Sequence, residues 1–197
     1  VCANRLPGAI VECGVYKGGS MMAVALALID QKDVDRDLYL FDTFEGMPRP
    51  SENDVDAWGE PANKHYLPGK ISETASTWCN APIDEVRSAM ESTRYPPSKM
   101  HYVKGMVEST VPDLAPSEIA ILRLDTDLYQ STRHELVQLY PRVVNGGVII
   151  IDDYGHFKGA RQAVDEYVAG LTPKPYVHRI DYSGRSFIKR VCVNKAS

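Results

Sequence analysis

The chain has 197 residues, of which 44% are hydrophobic and 24% are charged, and its formal net charge is −4. This length suits one domain with enough residues to bury a sizeable core. The acidic balance disfavours a nucleic-acid-binding surface, and the longest apolar stretch, near 21–29, is too short to span a bilayer. We therefore expect a single domain over 1–197 that engages neither nucleic acid nor a membrane.

The four cysteines are Cys2, Cys13, Cys79 and Cys192, and they form neither a C-x-x-C pair nor a zinc-finger spacing with histidine. Cys13 and Cys192 lie in apolar, strand-like runs, where a buried and reduced thiol is the common structural role. The chain also shows no signal-peptide pattern. These observations together predict a reducing, cytoplasmic setting.

The first motif is an apolar strand, 9–13, followed by a glycine-rich loop and a helix predicted over 21–29. Glycines let a ligand approach the backbone, and a helix N-terminus offers free N–H groups. The loop spacing G-x-x-x-G-G differs from the G-x-G-x-x-G of dinucleotide-binding folds. A tight strand-to-helix turn would need the same glycines, so both interpretations stay open. Glu12, in an otherwise apolar strand, requires a polar partner.

The second predicted strand, 38–42, ends in Asp42. An acid at this position of a nucleotide-binding sheet accepts hydrogen bonds from ribose hydroxyls, and the alternative is an ordinary capping or turn aspartate. The segment 43–78 follows and is rich in proline, glycine and acidic residues. Because a loop of this length inside a domain is usually functional, we expect it to form a lid.

After this segment we predict an amphipathic helix over 82–93, a third strand over 100–103 and a short helix over 107–114. The strand predicted over 119–124 ends in Asp125-Thr126-Asp127, and the strand over 146–151 ends in Asp152-Asp153. Buried parallel strands bind ligands beyond their carboxyl ends, so these four carboxylates should converge. Carboxylate oxygens suit a hard divalent cation, Mg²⁺ before Zn²⁺. The alternative for each acid pair is a helix cap or a turn.

The remaining elements are helices predicted over 131–140 and 159–169, then two runs, 176–181 and 186–193, that flank a Ser-Gly turn typical of a hairpin. Five strands that alternate with helices, followed by a hairpin, predict a seven-stranded, mostly parallel α/β sheet with an antiparallel last strand. Helices should cover both faces. The hairpin separates this pattern from an ordinary dinucleotide-binding sheet and indicates the Rossmann-like class I methyltransferase fold.

Four motifs together resemble the macrocin O-methyltransferase (TylF-like) family, in the family's order and over nearly the whole chain. They are VECGVYKGGS at 11–20, FDTFEGMP at 41–48, LRLDTDLYQST at 122–132 and IDDYG at 151–155. The resemblance implies an enzyme that uses S-adenosylmethionine and Mg²⁺ to methylate a hydroxyl of a sugar or a glycosylated natural product. It also implies a small-molecule glycoside or sugar acceptor and a homo-oligomer.

The resemblance also implies a role for each matching residue. The metal ligands would be Asp125, Asp152 and Asp153, and Asp127 would be the general base. The cofactor would be bound by the remaining motif residues, Glu12, Gly14, Tyr16, Gly18, Ser20, Asp42 and Thr43.

Three alternatives compete with this interpretation. A catechol-type phenol O-methyltransferase would share the fold and its strand-end acids. A nicotinamide-dependent oxidoreductase is disfavoured by the missing G-x-G-x-x-G and by the hairpin. A non-catalytic module that only binds S-adenosylmethionine would need neither a base nor a metal, so the four acids count against it.

Overall fold

The computed structural model describes residues 1–191, and in this part of the chain seven strands form one sheet in the order β3-β2-β1-β4-β5-β7-β6. The first five strands pair in parallel, and β7 is antiparallel to both of its neighbours. The strands are β1 (Ala9–Cys13), β2 (Leu38–Asp42), β3 (Met100–Lys104), β4 (Ile119–Leu124), β5 (Val143–Ile151), β6 (His178–Arg179) and β7 (Arg185–Ile188).

Six α-helices accompany the sheet within the same residues. They are α1 (Gly19–Asp30), α2 (Asn63–Tyr66), α3 (Ile83–Ser92), α4 (Val107–Thr110), α5 (Tyr129–Leu139) and α6 (Lys158–Ala169). The alternation of side chains along the strands divides the core into two layers. Val11 and Phe41 pack with α5 and α6 on one face, whereas Ile10 and Leu40 pack with α1 and α3 on the other. Helices therefore cover both faces, and the predicted fold class is confirmed.

Several boundaries differ from the sequence predictions. The helix predicted over 107–114 ends at Thr110, because Val111 is already extended and Pro112 has no N–H to donate. The strand predicted from Gly146 begins at Val143, which pairs with β4 before an irregularity in the register. The hairpin strands are shorter than predicted, and the end of the second predicted run, with Cys192, lies outside the described residues.

The segment 43–78, predicted to be a lid, is folded against the rest of the domain. It contains α2 and short bridges, and one bridge pairs Asp56 with Phe157 beyond β5. Ala62 packs with Phe157 and Ala160 in a small separate core, with Trp78 against it. Tyr66 is fully buried. This packing attaches the segment to the loop between β5 and α6.

Two sequence expectations concern the thiols and membrane association. Cys13 is completely buried and unpaired, as predicted for a structural thiol. Among the helices of residues 1–191, none combines the length and the apolar character that a membrane crossing needs.

The parallel strands end at one edge of the sheet, and Gly14 lies where β1 meets β4 at that edge. Asp125 N donates to Cys13 O at 2.8 Å, and a Cβ on Gly14 would lie 2.1 Å from the carbonyl oxygen of Asp125. Gly14 also has φ of +82°. The close approach and the left-handed backbone together require glycine here.

We predict that Gly14→Ala lowers the free energy of unfolding by more than about 2 kcal/mol, because the new Cβ collides with backbone and the φ is strained. Gly19→Ala is the matched control, since a Cβ at Gly19 meets no atom within 4 Å and alanine favours a helix. Urea unfolding of both variants checks this. Equal stability of the two variants would contradict the steric argument.

Candidate active site

A cleft of about 210 Å³ opens at the carboxyl edge of the sheet. Its walls are the glycine loop after β1, the turn after β2, the segment after β3 and the acids after β4 and β5. It is lined by several residues predicted from the sequence, Gly14, Tyr16, Asp42, Thr43, Asp125, Asp127 and Asp153. The other predicted residues belong to elements that border the cleft without lining it, namely Glu12, Gly18, Ser20 and Asp152.

Asp42 braces the glycine loop. One carboxylate oxygen, Oδ2, accepts hydrogen bonds from the backbone N–H groups of Val15 at 2.7 Å and Tyr16 at 3.0 Å. The other, Oδ1, accepts from Phe44 N at 2.6 Å. Thr43 Oγ1 donates to Gly46 O at 2.7 Å and so closes the turn after β2. These bonds hold two walls of the cleft in fixed relation, and the predicted ribose contact of Asp42 stays a prediction.

Gly18 and Ser20 form the entry to α1. Gly18 is the residue before the helix, with φ of +82°, and a Cβ there would press on Val86 at 3.3 Å. Ser20, in the first turn of α1, lies close enough to Glu12 to lower the pKa of its carboxyl group. The start of α1 therefore lies beside the end of β1.

Glu12 is 99% buried, and only one of its two carboxyl oxygens is paired with protein along residues 1–191. Its Oε1 accepts from Arg123 at 2.6 Å, while Oε2 is buried without a protein donor. Burial raises the pKa of Glu12 to about 7, because the charge and the hydrogen bond of Arg123, with Ser20 nearby, oppose the desolvation only in part. Glu12 therefore changes charge near neutral pH.

Arg123, on β4, pairs with three of the acids at the carboxyl edge of the sheet, which we call the acidic edge. Beside its contact with Glu12, its guanidinium contacts Asp125 Oδ2 at 2.5 Å and Asp152 Oδ1 at 2.8 Å. Burial lowers the pKa of Arg123, but the charges of Asp125, Glu12 and Asp152 more than reverse this effect and raise it. Arg123 therefore stays positively charged, and its single charge is shared by three acids.

Three carboxyl groups converge beside Arg123, and we call them the carboxyl cluster. Asp125, Asp127 and Asp153 each place one oxygen within 4.8 Å of the others. Asp127 has φ of +66°, an uncommon conformation for a residue with a Cβ, and Leu128 N donates to Thr126 O across it at 2.7 Å. Asp152 is paired with Arg123 and lies outside this group of three.

The converging carboxyl groups cannot all ionise freely. Burial raises the pKa of Asp125 to about 9; Arg123 opposes this increase, and Asp152 and Asp153 reinforce it. Burial also raises the pKa of Asp127 well above its usual range, with a further increase from the nearby carboxyl group of Asp153. A cation among these groups would favour the ionised forms of Asp125 and Asp127.

Glu135, on α5, hydrogen-bonds to the turn formed by Asp125, Thr126 and Asp127. It is completely buried, and Thr126 Oγ1 donates to its Oε1 at 3.0 Å. Burial raises the pKa of Glu135 well above its usual range; the bond from Thr126 opposes this increase, and Glu108 adds to it. Glu135 therefore anchors Thr126, the residue between Asp125 and Asp127.

Asp54, in the segment 43–78, holds the other end of the same turn. It is 98% buried, and its Oδ1 accepts from the backbone N–H of Tyr129, the first residue of α5, at 2.8 Å. Its Oδ2 accepts from the N–H and the hydroxyl of Ser51 at 2.8 and 2.5 Å. Asp54 therefore connects the predicted lid to the helix that follows Asp127.

Sequence analysis did not single out several of these groups. Arg123 precedes an acidic pair in the sequence, which predicts that it neutralises that pair but not that it contacts Glu12, and nothing local marks Asp54 or Glu135 as buried. Further lining residues not anticipated are Met47, Pro48, Cys79, Met106, Glu108 and Ser131. The signal that could have indicated Arg123 is the unpaired Glu12, which needs a cationic partner.

The sheet order, the glycine loop after β1 and the acids at the strand ends define a class I methyltransferase. The chain belongs to the family described as macrocin-O-methyltransferase (TylF), whose family model matches residues 1–189. It is therefore an S-adenosylmethionine-dependent O-methyltransferase.

Three comparisons illustrate the similarity. One relative, from Streptomyces olivaceus, is 8-demethyl-8-(2,3-dimethoxy-alpha-L-rhamnosyl)-tetracenomycin-C 4'-O-methyltransferase. It is 32% identical over 93% of this chain and 67% of its own length. Demethyldecarbamoylnovobiocin O-methyltransferase from Streptomyces niveus is 31% identical with the same coverage. The structure of the O-methyltransferase NovP has a TM-score of 0.81 at 29% identity, over 96% of this chain and 74% of that one. The chain thus spans about two thirds of the length of the two relatives.

We predict that Glu12→Gln changes how stability depends on pH. The folded-state pKa of Glu12, about 7, exceeds its ordinary value of 4.5, so the parent loses stability as the pH rises from 4.5 to 7. Glutamine does not titrate, and the variant should exceed the parent at pH 7.5 by up to about 3 kcal/mol while matching it near pH 4.5. Urea unfolding at both pH values, with exposed Glu52→Gln as control, measures this. A pH-independent difference would refute it.

Proposed function

We propose that this enzyme methylates a hydroxyl of a sugar carried by a natural product, with Mg²⁺ bound at the acidic edge. Membership of the TylF family, together with a relative whose name specifies a rhamnosyl group on the acceptor, supports the sugar acceptor. The convergence of Asp125, Asp127 and Asp153 supports the metal site. The convergence carries the proposal, because binding of S-adenosylmethionine alone would not require three partly buried acids that repel one another.

The donor set fits Mg²⁺. Its oxygen ligands lie at 2.0–2.1 Å, which puts neighbouring ligands about 3 Å apart and opposite ones about 4 Å apart. Oxygens within 4.8 Å of one another are compatible with that spacing after small adjustments. The converging oxygens include one from Asp127 and none from Asp152. We assign Asp125 and Asp153 as ligands and retain Asp152 as the expected third ligand, through Oδ2, which Arg123 does not contact.

The methyl donor fits the other side of the cleft. Glu12 Oε2 is buried and has no protein donor in residues 1–191, and the amino group of the methionine moiety would provide one. The glycine loop supplies close backbone approach at Gly14 and Gly18, with Tyr16 and Ser20 beside it. We assign Asp42 and Thr43 to the ribose end of S-adenosylmethionine.

The chemistry requires a hydroxyl proton to leave as a carbon–oxygen bond forms. Asp127 accepts that proton as general base, and Arg123 balances the charge of the neighbouring acids. Mg²⁺, when bound, would lower the pKa of the acceptor hydroxyl. The methyl carbon bonds to oxygen as its bond to the sulfonium sulfur breaks, so alignment of the two substrates contributes much of the rate.

Other features of the enzyme follow from the sequence and stay predictions. They are a cytoplasmic location, a homo-oligomeric assembly and closure of 43–78 over the bound substrates. A catechol-type phenol acceptor is the second candidate, because an acidic metal site could activate a phenol in the same way. Paired assays with a catechol and with a rhamnoside distinguish the two acceptors.

We predict that Asp127→Asn lowers turnover by at least about 100-fold, because the general base is lost, while Mg²⁺ affinity stays nearly unchanged. Asp152→Asn should instead weaken Mg²⁺ affinity by at least about tenfold. Calorimetric Mg²⁺ titration and single-turnover assays separate these effects, with exposed Asp113→Asn as control. If Asp127→Asn weakens Mg²⁺ binding as strongly as Asp153→Asn does, Asp127 is a ligand and the assignment of the base is wrong.

We predict that the purified protein binds S-adenosylmethionine in the micromolar range both with Mg²⁺ and with chelator. Glu12 and the glycine loop contact the methyl donor independently of the metal, whereas acceptor methylation should require Mg²⁺. Calorimetric titration and a methyl-transfer assay under both conditions measure this. Methyl transfer that is undiminished by chelator would remove the metal from the mechanism.

A further inference from the structure

Three aromatic side chains form an exposed surface beside the carboxyl cluster. The ring of Trp58 lies 5.7 Å from that of His156 and 6.2 Å from that of Tyr182, measured between centroids. His156 Nδ1 lies 3.3 Å from the Tyr182 hydroxyl. Trp58 is 72% exposed and Tyr182 is 51% exposed. We call these three residues the aromatic wall.

The backbone that follows Asp153 connects the aromatic wall to the acidic edge of the sheet. His156 N donates to Asp153 O at 3.0 Å, and Gly155 N donates to Ser183 O at 2.9 Å. A Cβ on Gly155 would lie 2.2 Å from Tyr182 O, so the hairpin turn packs closely against this loop. The wall therefore lies on the same edge of the sheet as the carboxyl cluster.

The loop that carries Trp58 is ordered although its ring is exposed. Asp56 Oδ1 accepts from the backbone N–H groups of Trp58 and Glu60, both at 2.9 Å, and Asp56 N donates to Glu60 O at 2.9 Å. The loop also pairs with Phe157 through a bridge at Asp56. An exposed indole on a backbone fixed in this way loses little conformational entropy when a ligand covers it.

We propose that the aromatic wall binds the aglycone of the acceptor, a flat, apolar ring system joined to the reacting sugar. Exposed aromatic surfaces next to a site favour ligands with an apolar face, and His156 and Tyr182 add polar groups at the edge. The sugar hydroxyl must reach Asp127 inside the cleft, so the wall beyond Asp153 is available to the rest of the acceptor. This inference rests on the proposed sugar acceptor and specifies how the remainder of that molecule is held.

The test compares two probes, 4-nitrophenyl α-L-rhamnopyranoside and methyl α-L-rhamnopyranoside, which share a sugar and differ in the aromatic group. Their affinities are measured by calorimetry in the presence of Mg²⁺ and S-adenosylhomocysteine. In Trp58→Ala and in Tyr182→Ala, the affinity for the nitrophenyl glycoside should fall about tenfold, while that for the methyl glycoside stays unchanged. Tyr176→Ala is the matched control, because Tyr176 is 76% exposed and contacts His178 instead of the wall.

The parent protein should also bind the nitrophenyl glycoside more tightly than the methyl glycoside. A second readout uses Trp78→Phe, since Trp58 and Trp78 are the two tryptophans of the chain. In that variant the nitrophenyl glycoside should quench the remaining fluorescence in a saturable manner.

Several results would overturn the inference. Equal losses for the two glycosides, no loss for either, or quenching that rises linearly without saturation would show that the wall does not bind the aglycone. A change of oligomeric state in Trp58→Ala with unchanged glycoside affinity would make the wall a contact between copies of this chain. Retained binding of S-adenosylhomocysteine with no affinity for either glycoside would refute the proposed sugar acceptor, whereas binding of both glycosides that is unaffected by Trp58→Ala and Tyr182→Ala refutes this inference alone.

Discussion

The guanidinium of Arg123 is the charge on which the acidic edge depends. It contacts Glu12, Asp125 and Asp152, which come from three neighbouring strands or their ends. Without this cation, the almost fully buried carboxylate of Glu12 and the partly exposed ones of Asp125 and Asp152 would repel one another at the junction of β1, β4 and β5. Arg123 contacts Glu12, which we assign to S-adenosylmethionine, and also Asp125 and Asp152, which we assign to Mg²⁺. This one residue therefore helps to fix the distance between the proposed cofactor site and the proposed metal site.

The single positive charge of Arg123 nevertheless does not balance all the acids of the acidic edge. Burial and the neighbouring acids raise the pKa values of Asp125 and Asp127, so a further positive charge would favour their ionised forms. This effect gives a physical reason to propose Mg²⁺ at this position. Binding of the proposed metal would release protons from these acids and leave the proposed base ionised, as its role requires.

The segment 43–78 connects the two substrate regions. Thr43 and Met47 line the cleft, Asp54 holds the N-terminus of α5, and Asp56 fixes the loop that presents Trp58. The same segment thus contacts the proposed donor site, the turn that carries Asp127 and the proposed aglycone surface. Because the segment has these three attachments, the proposed closure over the substrates would have to change the contacts of both Asp54 and Asp56.

Local sequence patterns were sufficient for the order of the strands and helices, the glycine loop, the acids at the strand ends and the family. Apolar periodicity and glycine positions depend on neighbouring residues, so they can be read without coordinates. The pairing of Arg123 with Glu12, 111 positions away, and of Asp54 with Tyr129, 75 positions away, depended on the tertiary structure. So did the separation of Asp152 from the other three acids, since a choice among oxygens a few ångströms apart depends on how the strands and loops pack.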